Sequence, residues 1–508
     1  MLASITSATV LGVRGCPVTV EVYVGEGLPG YHLVGLPDTV CRESRNRIRA
    51  AFAACELAWP NRNVTINLAP ASERKSGAGL DLAIAVGILV ATEQLPPDVA
   101  SRYAFIGELG LDGVLRRVAG VAPMVDALGE IDVVVPVANA LEAFVASRGT
   151  PRVAPDLRTV VRCLRGDDPW DAIPVDPRAD DVPAGPDLAD VRGQPVARQA
   201  LEIAAAGGHH MLFIGAPGSG KTMLAQRLAG LLPRLDREQA LETTMVHSAA
   251  GLPLPRGGLI QAPPFRAPHH TTSVIGICGG GSTSIKPGEL SLATNGVLFL
   301  DELGEFARPA LEGLREPLEE GVIRVARAVG RLALPARFLL VAATNPCPCG
   351  GGPPGSCQCD DNARARYLRR LSGPLADRFD LRVVVQRPAV DELLGAEPGE
   401  SSSVVRDRVV AARDVALLRS GKLNAALSAD ELDEVAPVTA EARRVLRNEI
   451  ERERLTGRGY HRVRRVARTI ADLTEPGSIL VTVDHVELAL SMRTSLRGPA
   501  MTDSRWIA

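Results

Sequence analysis

At 508 residues the chain is long enough for two to four domains with sizeable cores. An apolar fraction of 46%, a charged fraction of 23% and a formal net charge of −2 describe a soluble, globular chain, not a general polycation, so nucleic-acid contact must come from local basic patches. Aromatic residues are only 3%, which argues against single-strand binding by rows of stacked bases. No signal-peptide layout opens the sequence, and the most apolar run, Leu82–Ala91, is far shorter than the roughly 20 residues that cross a bilayer. Nine cysteines, an odd count, suit a reducing, cytoplasmic compartment with free thiols and room for a metal site.

Residues 1–165 alternate β-like and helical runs. Val18–Val24 alternates as a half-buried strand does, Asp38 caps a helix reaching about Leu57, Val64–Leu68 is a strand, Leu80–Thr92 an apolar helix and Val133–Pro136 a buried strand. Residues 166–189, rich in Pro, Asp and Ala, form a linker. Residues 190–395 repeat strand, Gly-rich turn and helix, the pattern of a parallel α/β sheet. A second break at Gly395–Ser403 precedes an Arg-rich helical domain, 396–508.

Gly215-Ala216-Pro217-Gly218-Ser219-Gly220-Lys221-Thr222 matches the phosphate-binding loop pattern in full, between an apolar strand, Met211–Ile214, and a helix, Met223–Leu231. Glycines let backbone N–H groups curl round phosphate, and the helix N-terminus adds a positive dipole end. Lys221 would bridge the β- and γ-phosphates of ATP, and Thr222 would hold Mg²⁺. The apolar strand Val297–Leu300 delivers Asp301 and Glu302 to the same sheet edge, the first to orient Mg²⁺, the second to position or deprotonate the attacking water. Phe338–Ala343 is a further strand ending in Thr344-Asn345, where Asn345 either senses the γ-phosphate and orients the lytic water or caps the next turn.

This order, followed by Leu375-Ala-Asp-Arg-Phe-Asp-Leu381, resembles the AAA+ ATPases of the magnesium-chelatase-like branch, and nearly the whole chain is similar to the ComM/YifB family. Arg266-Ala-Pro-His-His270, Lys286-Pro-Gly-Glu-Leu290, Asn345-Pro-Cys-Pro-Cys-Gly350 and the run from Gly459-Tyr-His-Arg462 to Ala467–Leu473 carry the resemblance. It implies an α/β fold: a P-loop AAA+ parallel-sheet core with a C-terminal helical lid, preceded by an α+β ribosomal-S5/Lon-like domain. It also implies a ring, usually a hexamer, with Arg378 as the finger reaching the neighbour's γ-phosphate and Arg458 as the lid arginine, Arg462 in reserve. Val322–Arg327 and Arg331–Ala336 match the branch's β-hairpin, and residues 256–287 its helix insertion; both elements line the pore in related motors. Arg324, Arg327, Arg331 and Lys286 would grip phosphates there, with ordinary solvent-facing charge as the alternative. Within the Lon-like segment, Gly77 stands where the resemblance puts the nucleophilic serine and Ala122 where it puts the lysine, so protease chemistry has neither nucleophile nor base. Neighbouring Ser76 and Lys75 fall in a shifted register.

Cys347, Cys349, Cys357 and Cys359 form two CxC pairs in a Gly/Pro-rich loop, 345–360, a set that can close a structural Zn²⁺ cage or remain a reduced loop. The remaining cysteines stand isolated, and His209-His210 and His269-His270 read as loop hydrogen-bonding pairs. The resemblance suggests ATP-driven branch migration or helicase-like translocation on branched or single-stranded DNA. Arg443–Arg468 adds a basic stretch in its favour. A magnesium-chelatase motor subunit or a protein-remodelling ATPase are the alternatives.

Overall fold

The computed structural model describes residues 1–72, 74–173, 185–281, 285–327, 330–350, 357, 359–360, 362–363, 366–367, 375–388 and 399–494. The amino-terminal part is a seven-stranded mixed sheet. Leu2–Leu11 and Arg14–Gly25 pair antiparallel in register Leu11↔Arg14, turning at Gly12-Val13. Asn63–Ala69 continues antiparallel, with Gly30–Val34 parallel to it at the edge; on the other flank Tyr103–Phe105, Asp132–Pro136 and Pro151–Ala154 are parallel.

The sheet buries both faces. Phe105 and Val134 point to a core shared with the helices Ser44–Ala54 and Asp81–Ala91, whereas their strand neighbours Ala104, Val133 and Val135 point to a core shared with Val121–Leu128. Asp81–Ala91 is buried at every position, which explains why its sequence is apolar on all sides. The helix expected from Asp38 to about Leu57 is broken. Asp38 does cap it, accepting from Cys41 N–H at 2.7 Å, but Thr39–Arg42 ends at Glu43 and Ser44–Ala54 follows.

The central unit is a five-stranded sheet in the order Phe265–Arg266, Val297–Leu300, Leu339–Thr344, Met211–Ile214, Leu381–Val384, parallel throughout. Its inner strands are fully buried, as their continuous Val/Leu/Phe/Ala composition requires. Helices Ser402–Ser420, Ala429–Val435, Ala440–Glu451, Gly457–Thr474 and Val483–Ser491 follow, and their apolar sides join one core with Pro195–Gly207 and the sheet.

The amino-terminal part docks on the central unit. Gly120 N–H donates to Ser248 O at 2.9 Å, and Arg117 donates to the carbonyls of Gly251 and Leu252 at 3.3 and 3.1 Å. Leu241 and Met245 of helix Arg237–Ala249 pack on the Val121–Leu128 side of the sheet. The hairpin turn at Gly12, held at φ +64°, lies so close to the hairpin Val322–Arg327/Gly330–Pro335 that a Cβ there would stand 1.9 Å from Leu332 Cδ2. Ala122 is fully buried in this joint; its N–H meets Glu142 Oε1 at 3.1 Å and Ser248 Oγ at 3.3 Å. Lys75 is fully buried too, with its ammonium on the Pro70 carbonyl, and Gly77 sits at φ +87°.

Candidate active site

Sheet register brings the site together. Ile214 lies opposite Thr344, and Leu300 opposite Ala342, so the loop after Met211–Ile214, the carboxylates after Val297–Leu300 and Asn345 after Leu339–Thr344 leave the sheet at one edge. The helix begins at Lys221, two residues before the expected start, so Lys221 and Thr222 are its first-turn residues. Gly218 and Gly220 take φ of +77° and +92°, which only glycine adopts without strain.

Lys221 Nζ donates to the carbonyls of Gly215 and Ala216 at 2.8 and 3.0 Å and to Asn345 Oδ1 at 3.3 Å. Desolvation by burial lowers the Lys221 pKa, and the negative charges of Asp301 and Glu302 work against that shift. Thr222 Oγ donates to Asp301 Oδ2 at 2.7 Å, a pair of hard oxygen ligands of the kind Mg²⁺ takes. Ser219 Oγ is buried in the same loop without a hydrogen-bond partner among the described residues. Glycines free to turn, a buried lysine and a hydroxyl–carboxylate pair therefore fit a Mg²⁺–triphosphate. The ion, once bound, would neutralise phosphate charge.

Glu302 takes a left-handed φ of +51°, and its Oε2 lies 3.2 Å from His270 Nδ1. The His270 ring lies tilted against that of His269, centroids 4.1 Å apart, and meets Phe306 edge-on. Only His269 takes the loop role expected of both, bonding Thr271 Oγ at 2.9 Å. The other pair is likewise structural: His209 bridges Asp380 and Thr469 at 3.0 and 2.8 Å, and His210 Nδ1 accepts from Leu340 N–H at 3.0 Å. Nothing in the spacing of these histidines announces partners so far away in sequence.

Arg378 closes a short turn, Ala376–Arg378, and pairs with Glu319. Its pKa is lowered by burial and by the charges of Arg462, Arg458 and Arg315. Arg462 is already committed: it donates to Asp380 Oδ1 and, at 3.0 Å, to the Arg378 carbonyl. Arg458, one turn earlier on Gly457–Thr474, is exposed. The reserve candidate is thus held in a structural tie, whereas Arg458 has no ion pair among the described residues.

Several basic residues expected at a DNA-gripping surface are spent otherwise. Arg324 pairs with Glu316 and Glu320 at 2.7 and 2.5 Å. Within Arg443–Arg468, Arg464 is buried on Asp433 at 2.5 Å and Arg468 on Asp472 at 2.9 Å. Lys286 is exposed, whereas the side chains of Arg327 and Arg331 lie outside the described residues. The four sulfurs of Cys347, Cys349, Cys357 and Cys359 lie within 4.8 Å of one another, with pairs at 3.4, 3.5 and 3.6 Å. Zn–S bonds of about 2.3 Å in a tetrahedron put sulfurs about 3.8 Å apart, so the donor set fits that ion.

Family models described as magnesium chelatase, subunit ChlI match residues 187–393, with ChlI-subunit models over 20–139 and, for its C-terminal part, 399–493. Competence protein ComM of Haemophilus influenzae is 41% identical over 98% of this chain and 98% of its own length. The uncharacterized protein YifB of Escherichia coli is 41% identical over 97% of each. A probable DNA helicase MCM9 of rice is 27% identical over 35% of this chain and 21% of its own length. Full-length identity at this level, over a phosphate loop, an Asp-Glu strand and an Asn-ended strand meeting at one parallel-sheet edge, means that the chain belongs to the ComM/YifB family of magnesium-chelatase-like AAA+ ATPases.

Proposed function

We propose that this ATPase is a ring motor, assembled as a hexamer, that moves branched or single-stranded DNA in recombination or DNA uptake. The convergence of Lys221, Thr222, Asp301 and Asn345 on one edge supports hydrolysis. Full-length similarity to a competence protein supports DNA as what the motor works on. In this reading Gly215–Thr222 hold the triphosphate, Asp301 and Thr222 the Mg²⁺, Glu302 prepares the water, and Asn345 fixes its direction through the Lys221 contact. Arg378 serves the neighbour's site and Arg458 the nucleotide of its own.

The deciding measurement is the ATPase rate without DNA and with linear duplex, single strand or a four-way junction. Strong stimulation by junction or single strand is the expected result. Undiminished basal hydrolysis with no response to any DNA at low salt would remove the DNA reading. It would favour the chelatase-motor reading, which the name of the matching family model supports.

The four-cysteine loop is, in this reading, a structural Zn²⁺ cage that stiffens the segment after Asn345. Gly350 lies so near the phosphate loop that a Cβ there would stand 2.7 Å from Pro217 Cγ, so a closed cage would brace Asn345 and the loop together. Purified, reduced protein is expected to carry about one zinc per subunit by elemental analysis, and Cys347→Ser is expected to lose it. Metal-free wild-type protein would remove the cage.

A further inference from the structure

The side of the amino-terminal sheet turned away from the ATPase core carries the helices Thr39–Arg42 and Ser44–Ala54. Cys41, Ser44, Ile48, Ala51 and Phe52 are its buried side. Arg42, Arg45 and Arg49, three and four residues apart, run along the opposite side and are all exposed. Arg45 and Arg49, one turn apart on Ser44–Ala54, stand about 6 Å apart along its axis, and Arg42 ends the preceding helix just before the break at Glu43. Among the described residues none of the three has an acidic partner. Arg47, off this line, takes both neighbouring carboxylates: Asp81 at 2.6 Å and Glu43 at 4.0 Å.

We propose that this arginine line is a second DNA contact, which grips the phosphate backbone of duplex DNA outside the ring. It rests on the DNA reading above and gives the amino-terminal domain, which lacks a protease dyad, a task of its own. Duplex DNA carries one phosphate charge per about 1.7 Å of its axis, so three exposed guanidiniums on one face find phosphates within reach. Single-strand binding is the poorer match, because the aromatics beside this helix, Tyr31 and Trp59, are packed on each other and on Phe52 instead of offering a stacking platform. An unpaired guanidinium needs no partner exchange before it meets phosphate, unlike Arg324 in the hairpin.

The test uses the full chain and a short fluorescent duplex, with binding followed by anisotropy from low to physiological salt. Arg42→Ala/Arg45→Ala/Arg49→Ala is expected to weaken low-salt binding at least tenfold and to make the slope of log K against log salt shallower by about 2–3. Basal, DNA-free ATPase is expected to be unchanged, and the triple lysine variant to keep most of the slope. If wild type binds and the alanine variant binds with equal affinity and slope, the arginine line is not a DNA contact while the motor reading stands. If the alanine variant instead changes the assembly state, the line is a subunit contact and the proposal falls. If wild type binds no DNA at all, both readings fall.

Discussion

Glu302→Gln is expected to slow ATP turnover by about 10²–10³-fold while nucleotide binding persists, because it removes the base beside the attacking water but none of the phosphate ligands. In the proposed mechanism these tasks fall to separate groups. Phosphate recognition belongs to the backbone of Gly215–Thr222 and to the Lys221 ammonium, whose present partners are two carbonyls and Asn345. Metal recognition belongs to the 2.7 Å pair of Thr222 and Asp301. The Glu302 side chain bonds neither: its N–H donates to Asp301 Oδ1 at 2.9 Å, but its carboxylate faces His270. Lys221→Ala should therefore weaken nucleotide binding itself. Equilibrium binding of a fluorescent ATP analogue, beside steady-state turnover, distinguishes the two. Normal turnover in Glu302→Gln would assign the base elsewhere.

The parts of the site legible in sequence are those written locally on strand ends. A phosphate loop after Met211–Ile214 and two acids after Val297–Leu300 need only parallel strands in register to meet, and the apolar runs predict such strands. The strand Leu2–Leu11 is harder to see because Ala, Ser and Thr dominate its middle; it is held by its long pairing with Arg14–Gly25. The break at Glu43 also hides, since Arg-rich helix formers continue straight through it. Arginines misled most. A basic run such as Arg443–Arg468 looks like a binding surface until Asp433, from another lid helix, and Asp472, one turn further along the same helix, neutralise its buried members. Charge is countable in sequence; its pairing is a property of the fold.

Asp380→Asn is expected to destabilise the ATPase core by about 3–5 kcal/mol, the loss typical of a buried charge deprived of its partner. The carboxylate is buried between His209 at 3.0 Å and Arg462 of the helix Gly457–Thr474. Burial alone would raise its pKa, but the hydrogen bond from His209 and the charges of His209 and Arg462 outweigh that and hold it well below the usual carboxylate range. Its stabilising contribution is thus complete above the unfolded value near pH 4 and is lost as pH falls further through the folded value. His210, next in the chain, acts in a higher window. Burial pushes its pKa down to about 4, so the unfolded chain takes up a proton below about pH 6.5 that the folded chain refuses, and stability declines as pH falls from 6.5 towards 4. Thermal midpoints measured against pH should show both declines in the wild type. In Asp380→Asn the lower one should shrink but persist, because Asp187, Glu400, Glu431 and Asp433 are also held below the usual carboxylate range by their hydrogen bonds and neighbouring cations, while the upper one is retained and the whole curve is displaced downward. The same substitution should slow ATP turnover. Arg462 also holds the carbonyl of Arg378, two residues before Asp380, so loosening this tie frees the proposed finger from the lid that positions it. An unshifted melting curve in the variant would mean that Arg462 and His209 hold lid and core together without the carboxylate between them.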